Sequence, residues 1–248
     1  MKNFEWKWIR PFGDIIEARR NNAYCSVGKW LFVHGGINSY GRHMNDFYGF
    51  NLGKNYHNYI IRFLNKIKHV NKLFFVLEQM KWNICELINE TEIEGISFHT
   101  MCGIFKGEPK LNSLYHPFEY AEKWKNNIKC VGLYLFGGKL KNNQSLNTLT
   151  VIKLGVKPLK WINLDTEGMK PETRYYHSMN HYPELNALIV YGGKTEGSID
   201  GNANEFGGIF SDVWILNLGN LNWTKVKTNR ISDLERCGHA VTIFGKEI

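Results

Sequence analysis

Three apolar runs in the chain stop at paired glycines: WLFVHGG at Gly35 and Gly36, LYLFGG at Gly137 and Gly138, and LIVYGG at Gly192 and Gly193. After each, a variable stretch leads to a run of alternating character: NDFYGFNL (residues 45–52), LNTLTVIKL (146–154) and SDVWILNL (211–218). A tryptophan then follows, at Trp82, Trp161 or Trp223. Short runs rich in β-branched and aromatic residues and punctuated by glycine predict strands. A polar signature recurs upstream. Arg174-Tyr-Tyr-His177 matches Arg236-Cys-Gly-His239, the two standing at equal distances beyond Trp161 and Trp223. Arg19-Arg-Asn-Asn22 is a degenerate copy, and His99 survives in a weaker one with Ile96 in the arginine place.

Each unit therefore reads as four short strands: one after Arg-x-x-His, one ending in Gly-Gly, one of alternating type, and one carrying the tryptophan. Such a unit makes a twisted antiparallel sheet, and a series of them packs face to face around an axis. The glycine pair suits a turn through positive φ, and the tryptophan offers a broad apolar surface to the gap between sheets.

The order Arg-x-x-His, apolar-Gly-Gly, Asn/Asp-aromatic-Leu, Trp resembles the kelch repeat family. That resemblance implies an all-β, kelch-type β-propeller, incomplete here, with three full four-stranded blades and two partial ones. The first partial blade is marked by Trp8 and the last begins at Arg236. One domain over residues 1–248 is expected, as a fragment of a longer propeller, because propellers typically have four to eight blades. The resemblance further implies that Arg19, Arg174, His177, Arg236 and His239 lie on or near the innermost strands and tie adjacent blades together by hydrogen bonds. The glycine pairs and Trp82, Trp161 and Trp223 complete this structural set.

Three insertions interrupt the pattern. Residues 53–80 fall between the third and fourth strands of the first unit, and residues 106–129 between the first and second strands of the next. In an antiparallel meander both connections emerge at one end, so these two decorate one face. The apolar spacing in 53–80 suits a short amphipathic helix or a strand pair. Residues 194–210 belong to the opposite face. They are Gly-rich, with Glu196, Asp200 and Glu205, but lack the ligand order of an EF-hand loop, so no metal is expected.

Composition narrows the picture. Hydrophobic residues make up 43% and aromatics 14%, with 24 glycines, a mixture that favours short strands and tight turns. The net charge of +8 favours acidic partners, but Lys is spread along the chain without a basic block, so nucleic acid is not expected. Five cysteines, Cys25, Cys85, Cys102, Cys130 and Cys237, contain no C-x-x-C pair and suggest reduced thiols rather than disulfides or zinc. No secretory segment and no eighteen-residue apolar run is present in the sequence, so the expected setting is the cytoplasm or nucleus, away from membrane.

A residue that recurs in every unit serves the recurring architecture, whereas a catalyst would normally occur once. Neither a phosphate-binding glycine loop nor H-E-x-x-H, G-x-S-x-G or a kinase signature occurs. The expected function is a non-catalytic protein-protein interaction module, a scaffold or adaptor without cofactor. Its candidate contacts lie beyond the glycine turns: Tyr40, Arg42 and His43; Lys139, Lys141 and Asn143; Lys194 and Glu196. The same resemblance offers enzyme alternatives, a copper radical oxidase or a sugar mutarotase. Against the first, adjacent Tyr24 and Cys25 point to opposite faces of a strand. A regulatory kelch part of a larger enzyme, such as a protein phosphatase, is the third alternative.

Overall fold

A computed structural model describes residues 10–27, 30–52, 81–88, 94–104, 132–154, 159–196, 208–227 and 235–243. Its strands are β1 (Phe12–Gly13), β2 (Arg19–Arg20), β3 (Ala23–Val27), β4 (Trp30–His34), β5 (Ile37–Asn38), β6 (Phe47–Asn51), β7 (Lys81–Ile84) and β8 (Leu87–Ile88). They continue with β9 (Thr100–Ile104), β10 (Gly132–Phe136), β11 (Leu149–Lys153), β12 (Leu159–Leu164), β13 (Ser178–Tyr182), β14 (Ala187–Tyr191), β15 (Val213–Asn217) and β16 (Asn222–Lys225). Three antiparallel meanders result: β3-β4-β6-β7, β9-β10-β11-β12 and β13-β14-β15-β16. We term them the first, second and third blades.

The central strands read as continuous apolar runs because they are covered on both faces. In β10 every residue is buried. Leu133 and Leu135 point toward the first blade, in a core shared with Ala23, Phe32, Phe47 and Trp161. Tyr134 and Phe136 point the other way, into a core with Met179, Leu188, Val190, Trp214 and Trp223. One strand thus serves two interfaces through its period of two. Each fully buried side chain of this size contributes about 1.5–3 kcal/mol, so the blade interfaces carry most of the hydrophobic stabilisation.

Sequence periodicity did not show a fifth strand. β1 runs parallel to β7, through Phe12 opposite Lys81, and β8 runs parallel to β12, through Leu87 opposite Leu159. Glu167 makes a parallel bridge to Asn222 in the same place on the third blade. At each step the chain leaves one blade and brushes the outer strand of the next before turning inward.

The first insertion lies between β6 and β7, the second between β9 and β10, and the third between β14 and β15. The short helix expected in 53–80 falls outside the described residues. Among those described, the single helical turn is a 3₁₀ turn at Pro183–Leu185, closed by Asn186 in the left-handed region, and no helix is long and apolar enough to cross a membrane.

Candidate functional site

The glycine pairs are clamped between blades. Gly137 and Gly138 have φ of +63° and +102°, the left-handed region that disfavours a Cβ. A Cβ on Gly137 would stand 2.6 Å from the Arg174 carbonyl oxygen and 2.8 Å from the His177 ring, both of the next blade. On Gly138 it would meet His99 and Ile96 of its own blade. Each glycine therefore admits one neighbouring Arg-x-x-His segment, which is why two are needed. The Gly138 N–H then donates to the Arg174 carbonyl at 2.9 Å. Equivalent bonds join Gly36 to Ile96 and Gly193 to Arg236.

The arginines tie adjacent blades through their carbonyls rather than through their side chains. Their backbones dock on the preceding blade, but their guanidiniums stay within their own. Arg174, fully buried, makes a paired contact to Asp212 at 2.7 and 3.1 Å and a third bond to the Gly192 carbonyl. Arg19 does the same with Asp46 and the Gly35 carbonyl. Burial opposes ionisation of Asp212, yet the bonds from Arg174 prevail and hold its carboxyl below the usual range. The second blade has Ile96 in the arginine place and Thr148 in the aspartate place, so both partners are missing together. An unpaired buried charge is strongly destabilising, which explains the joint loss. Arg236 departs from the set: it is exposed and lies 6.0 Å from the Tyr191 ring centre.

The histidines do bridge blades. His177 Nε2 lies 2.8 Å from Thr100 Oγ1, and His239 Nε2 lies 3.1 Å from Ser178 Oγ. At the first junction the hydroxyl is absent, because Ala23 holds that position. Its cross-strand neighbour His34 substitutes, with Nδ1 3.0 Å from Nε2 of His99. Burial keeps these rings neutral: it pushes His34 down to about 4, His177 to about 3 and His99 well below the ordinary value. A neutral pair shares one proton, one nitrogen donating to the other.

Of the outer tryptophans, Trp161 lies 5.1 Å from the His34 ring and Trp223 5.1 Å from Phe136, each reaching onto the preceding blade. Trp82 instead contacts Phe50, its own cross-strand partner, at 4.8 Å.

The residue before each histidine position is left-handed: Asn21, Phe98, Tyr176 and Gly238, with φ of 59°, 58°, 58° and 68°. Their backbones form a series across four successive segments. Gly238 N–H donates to Tyr176 O, Tyr176 N–H to Phe98 O, and Phe98 N–H to Asn21 O. Bulky residues held in this region cost about 1–3 kcal/mol each, and strain of this kind clusters at binding sites. Here it directs Phe98 and Tyr176 together, with ring centres 4.4 Å apart.

The glycine-turn face builds on this aromatic base. Lys139 is paired by backbone with Ser97, and Lys194 with Tyr175. Lys139 Nζ lies 2.5 Å from Glu196 Oε1, and the Tyr175 hydroxyl donates to the same oxygen at 2.6 Å. Lys194 Nζ lies over both tyrosine rings, at 5.1 and 5.6 Å. The bonds from Lys139 and then Tyr175 hold the Glu196 carboxyl below its usual range, and burial raises the Tyr175 phenol. His43 adjoins this group, its Nδ1 3.3 Å from Ser97 Oγ.

Five of the eight expected contacts are thereby brought together: His43, Lys139, Lys194 and Glu196, with exposed Lys141 in the loop of Lys139. Asn143 is an exposed turn residue. Tyr40, 89% exposed, and Arg42 project from the first loop, which Asn38 braces by accepting from both their backbone N–H groups. Sequence reasoning missed Phe98, Tyr175 and Tyr176, whose signal was the aromatic content of the x positions in Arg-x-x-His. It also missed Asp46 and Asp212, which open the alternating runs.

Comparison with known proteins agrees with the geometry. Residues 126–248 match the KLHDC2/KLHL20/DRC7 Kelch-repeats domain. The chain is 24% identical to host cell factor homolog hcf-1 of Caenorhabditis elegans over 98% of its own length and 26% of that protein. It is 24% identical to host cell factor 1 of Homo sapiens over 98% of its length and 10% of that protein. Dynein regulatory complex subunit 7 of Chlamydomonas reinhardtii is 30% identical over 39% of the chain and 7% of that protein. The chain spans about a quarter or less of these relatives.

Proposed function

Since this chain is a kelch-repeat β-propeller protein, we propose that it is a non-catalytic interaction module that docks an acidic segment of a partner protein on its glycine-turn face. One observation carries the reading. On the glycine-turn face Lys139 and Lys194 gather about Tyr175 and Tyr176 with Glu196 between them, Lys141 is exposed in the loop of Lys139, and Arg42 and Tyr40 project from the first loop, while Asp46 and Asp212 are turned inward onto Arg19 and Arg174. Tyr and Arg are enriched at interfaces, and a face whose basic residues outnumber its acidic ones steers an acidic ligand. The Nε2 atoms of His177 and His239 and the guanidiniums of Arg19 and Arg174 support a binding role as well, because they are engaged in joining blades and buttressing turns.

The test is fluorescence anisotropy with labelled octaglutamate and octalysine at low salt. Octaglutamate binds and octalysine does not, with affinity falling as salt rises. Lys139→Ala/Lys194→Ala weakens octaglutamate binding about tenfold, in line with the loss of two charged contacts. Lys153→Ala/Lys160→Ala, at the far end of the second blade, leaves it unchanged. Equal loss from both pairs would reduce the effect to net charge and remove the assigned face.

A further inference from the structure

The glycine-turn face already holds one carboxylate. Glu196 Oε1 accepts from Lys139 Nζ and from Tyr175 Oη, donors that come from two different blades. Lys194 adds a second ammonium beside the same tyrosine ring, 5.1 Å from its centre. An oxygen receiving a charged N–H and a phenol O–H at these distances is seated as a bound anion is.

The donors stand on braced backbone, whereas the acceptor is exposed. Lys139 exchanges two backbone bonds with Ser97, and Tyr175 exchanges two with Lys194. Tyr175 is buried, and the Lys139 side chain is 17% exposed. The Glu196 side chain is 44% exposed. Its matching positions, three residues beyond the second glycine, are Ser39 in the first loop and Lys141 in the second. Only the third loop puts an acid there, so its seat owes nothing to the shared blade architecture.

We propose that Glu196 is an internal occupant of the carboxylate cradle formed by Lys139, Tyr175 and Lys194, and that an acidic ligand binds by exchanging one of its own carboxylates for it. This rests on the reading that the face takes an acidic segment. Seating Glu196 leaves the cradle vacant for a fraction of the time and weakens apparent affinity by that fraction. The exchange trades one charge-assisted contact for another, so the cradle selects ligands whose carboxylate is backed by further contacts and rejects isolated carboxylates.

The experiment compares the full chain with Glu196→Gln and Glu196→Asp, using the octaglutamate probe and thermal melting of each variant. Glu196→Gln binds about fivefold more tightly, as expected for a seat occupied four-fifths of the time. Glu196→Asp keeps the charge but shortens the reach, and it also tightens binding. Wild-type binding with no gain in Glu196→Gln overturns the proposal and leaves the acidic-segment reading standing. A gain in Glu196→Gln with Glu196→Asp equal to wild type overturns it too, since charge alone would then account for the effect. Absence of octaglutamate binding in all three folded proteins overturns the acidic-segment reading and the proposal with it.

Discussion

At the scale of residues, the blade junctions show one polar requirement met by two different side chains. The bridging histidine needs a partner for Nε2, supplied by Thr100 or Ser178 at two junctions and by His34 at the first. His34→Phe copies Phe136 but strands His99, and an unsatisfied buried group costs about 1–3 kcal/mol. Adding Ala23→Thr returns the hydroxyl at the Thr100 position and restores most of that loss. Urea unfolding of the two single variants and the double variant measures the coupling. Additive effects would show that His34 contributes only its volume.

At the scale of the element, the second blade lacks the buried ion pair that braces the glycine turn in its neighbours. Ile96→Arg alone places a cation beside the Gly137 turn without a counterion and destabilises the protein, by about 3 kcal/mol. Ile96→Arg/Thr148→Asp supplies the counterion and recovers about 1–3 kcal/mol, read as the non-additive term of a double-mutant cycle. The missing arginine at Ile96 was visible in sequence, because the copies align on their glycines. The matching loss at Thr148 was not, since Arg19 and Asp46 stand 27 residues apart, and Arg174 and Asp212 38 apart. Only the turn that brings the second strand back toward the third reveals them as one unit. The trailing position of Trp82 was likewise hidden, because a tryptophan on the outer strand looks alike whether its neighbour is another blade or its own sheet.

At the scale of the whole molecule, the buried histidines set a pH limit. His34, His99 and His177 stay neutral in the fold, while the unfolded chain protonates near 6.5. A depressed native value means that the stabilisation is complete above pH 6.5 and is lost as pH falls, toward about 4 for His34 and about 3 for His177. Each histidine removes about 1.4 kcal/mol per pH unit inside that window. Urea midpoints at pH 7.5, 6.5, 5.5 and 4.5 should fall steadily below the second of these. A constant midpoint down to pH 4.5 would show that the rings are protonated in the fold. Asp212, whose carboxyl is depressed, adds its own loss only at lower pH.

Local chemistry is written in the sequence: glycine pairs where the chain must turn through positive φ, period-two runs where strands lie between two neighbours, and a tryptophan on each outer strand. These depend on a residue and its immediate neighbours, so repetition alone exposed three blades and their order. The tertiary structure decided what each polar group meets. His34 finds His99 across 65 residues, and Lys139 finds Glu196 across 57, because separate blades bring distant loops within 3 Å. Hydrogen bonds and charges act over that distance in space, whatever their separation along the chain.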